Sequence, residues 1–266
     1  MFFQQKFEDY KTNYKSSSVL WGGFYHIEDQ KTNKPLLQTK EEIKCLPNIN
    51  LPTSYHIENA QRAIIQPYAF ERFLKNYHLL ELLFDYQIIQ DIADNRDNIK
   101  VAGEILRKNY KDSDEIHRLT YIVKNNITDI DKIVICLNNI KDYRDLAIDI
   151  FYTYGKDSNP LKDKDSFKTI LLESTLFAED SFFKKNNAGS IINPPQYKKT
   201  LIQKNNTYDG FIHKLIAYWI YRIRSSIAHS KIGEFLLTSS EHEHEKFILE
   251  FAEPLLQEIL IQCFES

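Results

Sequence analysis

Arg222, Arg224, Ser225, Ser226 and His229 crowd the last turns of one strongly apolar helical pattern, in Arg222-Ile-Arg224-Ser-Ser-Ile-Ala-His229. Arginine offers a fixed, planar positive fork that suits charge building on phosphoryl oxygens. Histidine has an ordinary pKa of about 6.5, so it can both take and give a proton near neutral pH. On a helix of about 100° per residue, Arg222 and His229 come nearly into register, with Ser225 and Ser226 on the same polar face. Arg224 and His229 lie about 140° apart on an unbroken helix. They can share one substrate only where the helix ends or distorts near Ala228, or where two copies of the segment face each other. Gly233 is consistent with an ending soon after His229. A competing account needs no chemistry, because helix C-termini attract cations generally.

Charge supports a phosphate-attracting surface. The net charge is only −3, yet Lys184 to Lys231 holds nine basic residues against one acid, Asp209. From Glu234 onward there are eight Glu and one Lys. A basic block inside an acidic chain can attract polyanions, although the lysines of 184–204 read equally well as solvated loop residues. Lys198, Lys199, Lys214 and Lys231 are the candidate contacts to such a ligand, with Arg222. Glu241-His-Glu-His-Glu245 lacks the spacing that sets two histidines on one helix face. It reads as a solvated first turn, capped by Ser240 and Glu243. No metal site and no cofactor are expected. There is no phosphate-cradling glycine loop and no nucleophile elbow, so ATP hydrolysis and esterase chemistry are unsupported. Cys45, Cys136 and Cys263 are far apart and form no CxxC pair, which points to reduced thiols. With no signal-peptide pattern and no apolar run near 20 residues, a cytoplasmic chain without membrane attachment is expected.

The elements that must hold these residues are helices. Only 7 Gly and 8 Pro in 266 residues is sparse punctuation for an all-β fold. Residues 1–52 are the least helical part, a short strand or irregular arm. From 53 to 266 the pattern is all-α. A short helix covers 54–65. Pro67 then opens a long helix to Ala93, whose Phe70, Phe73, Leu74, Tyr77, Leu80, Leu83 and Phe84 recur every three or four residues. Four short helices follow between 97 and 154, with caps at Asp112–Glu115 and Thr128–Asp131. Gly155 stops the last of them. Further helices are expected at 164–183, 208–228 and 241–263, with 184–206 as a mobile loop.

Arg224-Ser-Ser-Ile-Ala-His229 resembles the Arg-x4-6-His motif of the HEPN superfamily, and Ala217-Tyr-Trp-Ile-Tyr-Arg-Ile-Arg224 resembles the aromatic and basic lead-in of its bacterial members. Glu71-Arg-Phe-Leu-Lys-Asn-Tyr-His-Leu-Leu-Glu81 is similar to the first long helix of such domains, which often bears an acid near the site. The helices at about 97–180 match nothing in that family and read as insertions. The resemblance implies a helical bundle that dimerises so that two motifs line one site. It implies a metal-independent endoribonuclease of toxin, abortive-infection or other antiviral defence systems, restrained by a partner such as an ATPase, antitoxin or sensor. On RNA the 2′-hydroxyl is the nucleophile, His229 the general acid/base, Arg224 the transition-state clamp and Ser225 an orienting group. Tyr77, His78 and Glu81 are then expected to line the site. Two other classes stay open: a non-catalytic helical module that docks on a partner ATPase or nuclease, and a nucleotide sensor that grips phosphates without cutting.

Overall fold

A computed structural model describes residues 48–111, 114–161, 164–171, Phe177, 207–228, 233–238 and 241–265. All of them belong to one compact unit, Leu36–Ser266. The described elements are α1 (Ser54–Ile64), α2 (Ala69–Asp94), α3 (Ile99–Lys111), α4 (Glu115–Asn126), α5 (Ile130–Asn138), α6 (Arg144–Ile148), α7 (Lys164–Ile170), α8 (Tyr208–Ala228), α9 (His242–Phe247) and α10 (Glu253–Phe264). Among the described residues there is no strand, only an isolated antiparallel bridge between Ile49 and Glu265. The all-α expectation therefore holds for what is described. The arm proposed for 1–52 lies outside the described residues up to position 47, as does the loop of 184–206. No helix of the described residues is long and apolar enough to cross a membrane.

Local chemistry explains most of the boundaries. Thr53 caps α1 by accepting from the His56 amide, Asp114 caps α4 by accepting from Ile116, and Asp129 caps α5 by accepting from Lys132. Such caps satisfy amides that have no partner inside the helix. One expectation is corrected. Pro67 lies before α2 rather than inside its first turn: Tyr68 is the N-cap and the helix begins at Ala69. α9 is entered through Glu241, whose side chain makes no cap bond; Ser240 of the expected capping box lies outside the described residues.

The core forms where α2, α4, α8 and α10 pack on one another. Along α2, Phe70, Phe73, Tyr77, Leu80, Leu83 and Phe84 are buried, as their spacing requires; Leu74 is only half-buried. Trp219 of α8 is fully buried at the centre. Phe151 stacks on it with centroids 4.6 Å apart, and Phe167, Phe177 and Phe251 meet it edge-on at 5.6 to 5.9 Å. Stacked and edge-to-face rings of this kind add directional packing to the area that they bury.

α6 and α9 each run on into a turn of π-helix, Asp149–Thr153 and Ile248–Ala252. At the end of the first, the carbonyls of Ile150, Phe151 and Tyr154 face α8 and need donors. They come from α8 and from the loop that follows. Arg222 donates to Tyr154 O at 2.7 Å and to Ile150 O at 3.5 Å. The Tyr218 hydroxyl and the Asn159 amide both donate to Phe151 O.

Candidate functional site

α8 carries the motif, and it is buried on almost every face. Of its last seven residues, Arg222, Ile223, Ser225 and Ser226 are buried, Arg224 and Ile227 are half-buried and Ala228 is exposed. This corrects the polar-face reading. Arg222 does not meet solvent, which withdraws it from a phosphate arriving there; its Nε and Nη2 donate to the carbonyls that end the π-turn, and its Nη1 is buried with no hydrogen-bond partner among the described residues. Ser225 at 2% exposure is likewise withdrawn from any ligand approaching from solvent. Ser226 Oγ is buried with no hydrogen-bond partner among the described residues, while Ser226 O accepts from the Leu237 amide. The returning segment thereby ties down a carbonyl of the last turn of α8.

Arg224 points the other way. Its side chain keeps 19% of its exposure and reaches α2 and α4. Nη2 lies 3.7 Å from Glu81 Oε1 and Nε lies 3.5 Å from Glu115 Oε1. The guanidinium carbon sits 5.6 Å from the centroid of the Tyr77 ring. A cation over a ring face within about 6 Å is attracted by its quadrupole. The Tyr77 hydroxyl donates to Glu115 Oε1. Three helices thus meet in a chain of contacts from Tyr77 through Glu115 to Arg224, with Glu81 on the open side. His78 Nε2 lies 3.8 Å from Glu81 Oε2.

These groups shift one another's protonation. Burial first, and then the Glu115 carboxylate, push the Tyr77 phenol far above its ordinary range, so it stays a neutral donor. The Glu81 carboxyl is raised chiefly by desolvation. His78 and Arg224 pull it back down, and Glu115 and Asp85 push it up further.

Of the residues singled out by sequence, Arg224, Tyr77, His78 and Glu81 come together. Lys214 is exposed on α8, but ten residues from Arg224, about 15 Å along the axis. His229, Lys231, Lys198 and Lys199 lie outside the described residues. In the acidic run of α9, His244 Nδ1 accepts from the Thr238 amide and Glu245 is buried, so these side chains serve local structure. Among the described residues no group of His, Cys, Asp or Glu is arranged to hold a metal ion.

Sequence reasoning missed two residues of α4. Glu115 was visible only as part of a cap, and the signal was its place beside Ile116 and Leu119, at the edge of the buried stripe. One turn on, Arg118 lays its guanidinium 5.0 Å from the centroid of the Phe84 ring, and its Nε is buried with no hydrogen-bond partner among the described residues. The chain matches no family model, no curated protein and no solved structure.

Proposed function

We propose that this chain is a metal-independent RNA endonuclease of the HEPN type, acting as a homodimeric effector in antiviral defence or a toxin system. One observation carries the reading. Arg224, the arginine of the motif, stands half-buried against Glu81 and Tyr77, on the long helix whose resemblance to the family had suggested them as neighbours.

In this mechanism Arg224 binds the scissile phosphate and offsets the charge that develops on it. His229 takes the proton from the 2′-hydroxyl and returns one to the leaving 5′-oxygen, in the same site or across a dimer. Tyr77 and Glu115 hold the guanidinium in place beforehand, which spares reorganisation during the reaction.

The test is RNA cleavage by purified protein in EDTA, with light scattering on the same sample. The expected result is a dimer that degrades RNA, and loss of at least about 100-fold in rate for Arg224→Ala and for His229→Ala, the scale of removing a charge-stabilising or proton-transfer group. Cleavage that survives both substitutions, or that EDTA stops, sinks the assignment. A second reading, a non-catalytic module that docks on a partner ATPase or nuclease, draws on the two carboxylates that already engage Arg224. Under it the wild-type protein cleaves no RNA and is not toxic on expression without its partner.

A further inference from the structure

The two carboxylates around Arg224 are not equivalent. Glu115 is anchored: its Oε1 accepts from the Tyr77 hydroxyl and also faces Arg224 Nε. Glu81 makes no hydrogen bond among the described residues. Its two ion pairs, to Arg224 at 3.7 Å and His78 at 3.8 Å, are both longer than a hydrogen bond. Its side chain is 43% exposed, so it can swing into solvent without opening the core. Around it stand Tyr77, His78 and Asp85 of α2, Glu115 of α4 and Arg224 of α8. Among the described residues one guanidinium faces two carboxylates, and the charge of Glu81 opposes an anion that arrives while it stays in place.

We propose that Glu81 is an exchangeable counter-ion of Arg224, displaced when a phosphate of a nucleic-acid backbone enters. This rests on the phosphate-binding part of the proposed function. A phosphate oxygen can give the guanidinium short, bidentate hydrogen bonds that Glu81 does not make. A strand engages several cations at once and can meet the cost of displacing Glu81, whereas a free phosphate has a single contact with which to do so. The raised protonation range of Glu81 agrees with a carboxylate whose charge is poorly compensated where it stands.

The experiment measures binding of inorganic phosphate, and of a fully 2′-O-methylated oligonucleotide that cannot be cut, at low salt. Glu81→Gln keeps the side-chain shape and removes the charge. It should tighten phosphate binding by about threefold to tenfold and oligonucleotide binding by a similar factor, with the gain shrinking as salt is added. In an Arg224→Ala background the same substitution should give no gain, since a double-mutant cycle isolates the pair. Unchanged or weaker phosphate binding in Glu81→Gln, or a gain that persists without Arg224, overturns the proposal. Wild-type protein that cuts no RNA while the Arg224-dependent gain is present overturns the nuclease reading and leaves this one standing.

Discussion

Two arginines separated by one residue have opposite fates, and the difference follows from what each meets. Arg222 points into the core where the helix of α6 ends, and it donates to Tyr154 O and Ile150 O. Arg224 points out between α2 and α4, where carboxylates and a ring face receive it. Their substitutions should therefore fail differently. Arg222→Met leaves buried carbonyls without donors and should cost about 2–4 kcal/mol of stability. Arg224→Ala should change stability by about 1 kcal/mol or less while removing activity, since a partly exposed ion pair contributes little. Urea unfolding of both variants beside the wild type decides this. A stable Arg222→Met protein that has lost only RNA binding would restore Arg222 to the site.

At the scale of elements, the site depends on how α6 is closed off beneath α8. The chain turns at Gly155 so closely over the π-turn that an added Cβ would stand 2.3 Å from Phe151 O and 3.1 Å from the Tyr218 hydroxyl. Real side chains do not approach a backbone oxygen so closely, so Gly155→Ala must move either the turn or α8. The expected cost is about 2–3 kcal/mol, in the range of an overpacked core. Because Tyr218 bonds Phe151 O and Arg222 bonds Ile150 O and Tyr154 O, carbonyls of the same turn, the shift should also disturb α8 two turns before Arg224. The denaturation midpoint should fall with the m-value unchanged; a midpoint equal to that of the wild type would mean that the turn relaxes freely. On the far side of the bundle Gln262 of α10 fixes the α4–α5 connection, accepting from the Thr128 and Asp129 amides and donating to Asp129 O. A single amide side chain thus supplies three hydrogen bonds to a turn that has no helical partners for them.

For the molecule as a whole, two histidines of the described residues are buried, His56 among aromatic rings and His213 with Asp209 and Lys124 acting on it in opposite directions. His213 Nε2 lies 3.1 Å from Ile127 O, joining α8 to the end of α4. His56 Nδ1 lies 2.7 Å from Thr53 Oγ1 against the rings of Tyr86 and Phe264. Burial lowers the pKa of both below the ordinary 6.5. The unfolded chain therefore binds more protons than the folded one just below that pH, and stability must fall as the solution is acidified. This part of the stability is fully present above about 6.5 and is lost as pH drops toward the folded values. His213→Gln retains a donor for Ile127 O but cannot titrate. Melting curves from pH 7.5 to 5 should be flatter for it than for the wild type, and parallel curves would count against the assignment.

Helix positions were legible in the sequence because they depend on local terms: three- and four-residue apolar spacing in α2 and α8, capping acids at Asp114 and Asp129, and scarce glycine and proline. The same spacing that marked α8 as apolar misjudged Arg222, Ser225 and Ser226, because periodicity tells which residues share a face and not what covers that face. Only the tertiary structure decides that α6 ends beneath them and consumes Arg222. The meeting of Arg224 with Glu115 was beyond the sequence for a related reason: their partnership joins residues more than a hundred positions apart. The amino-acid sequence by itself determined that an arginine with chemical capacity sits near the end of a buried helix. Which of the two arginines reaches toward solvent, and which carboxylates stand against it, was decided by packing, since buried backbone carbonyls claim the nearest donor before any ligand can.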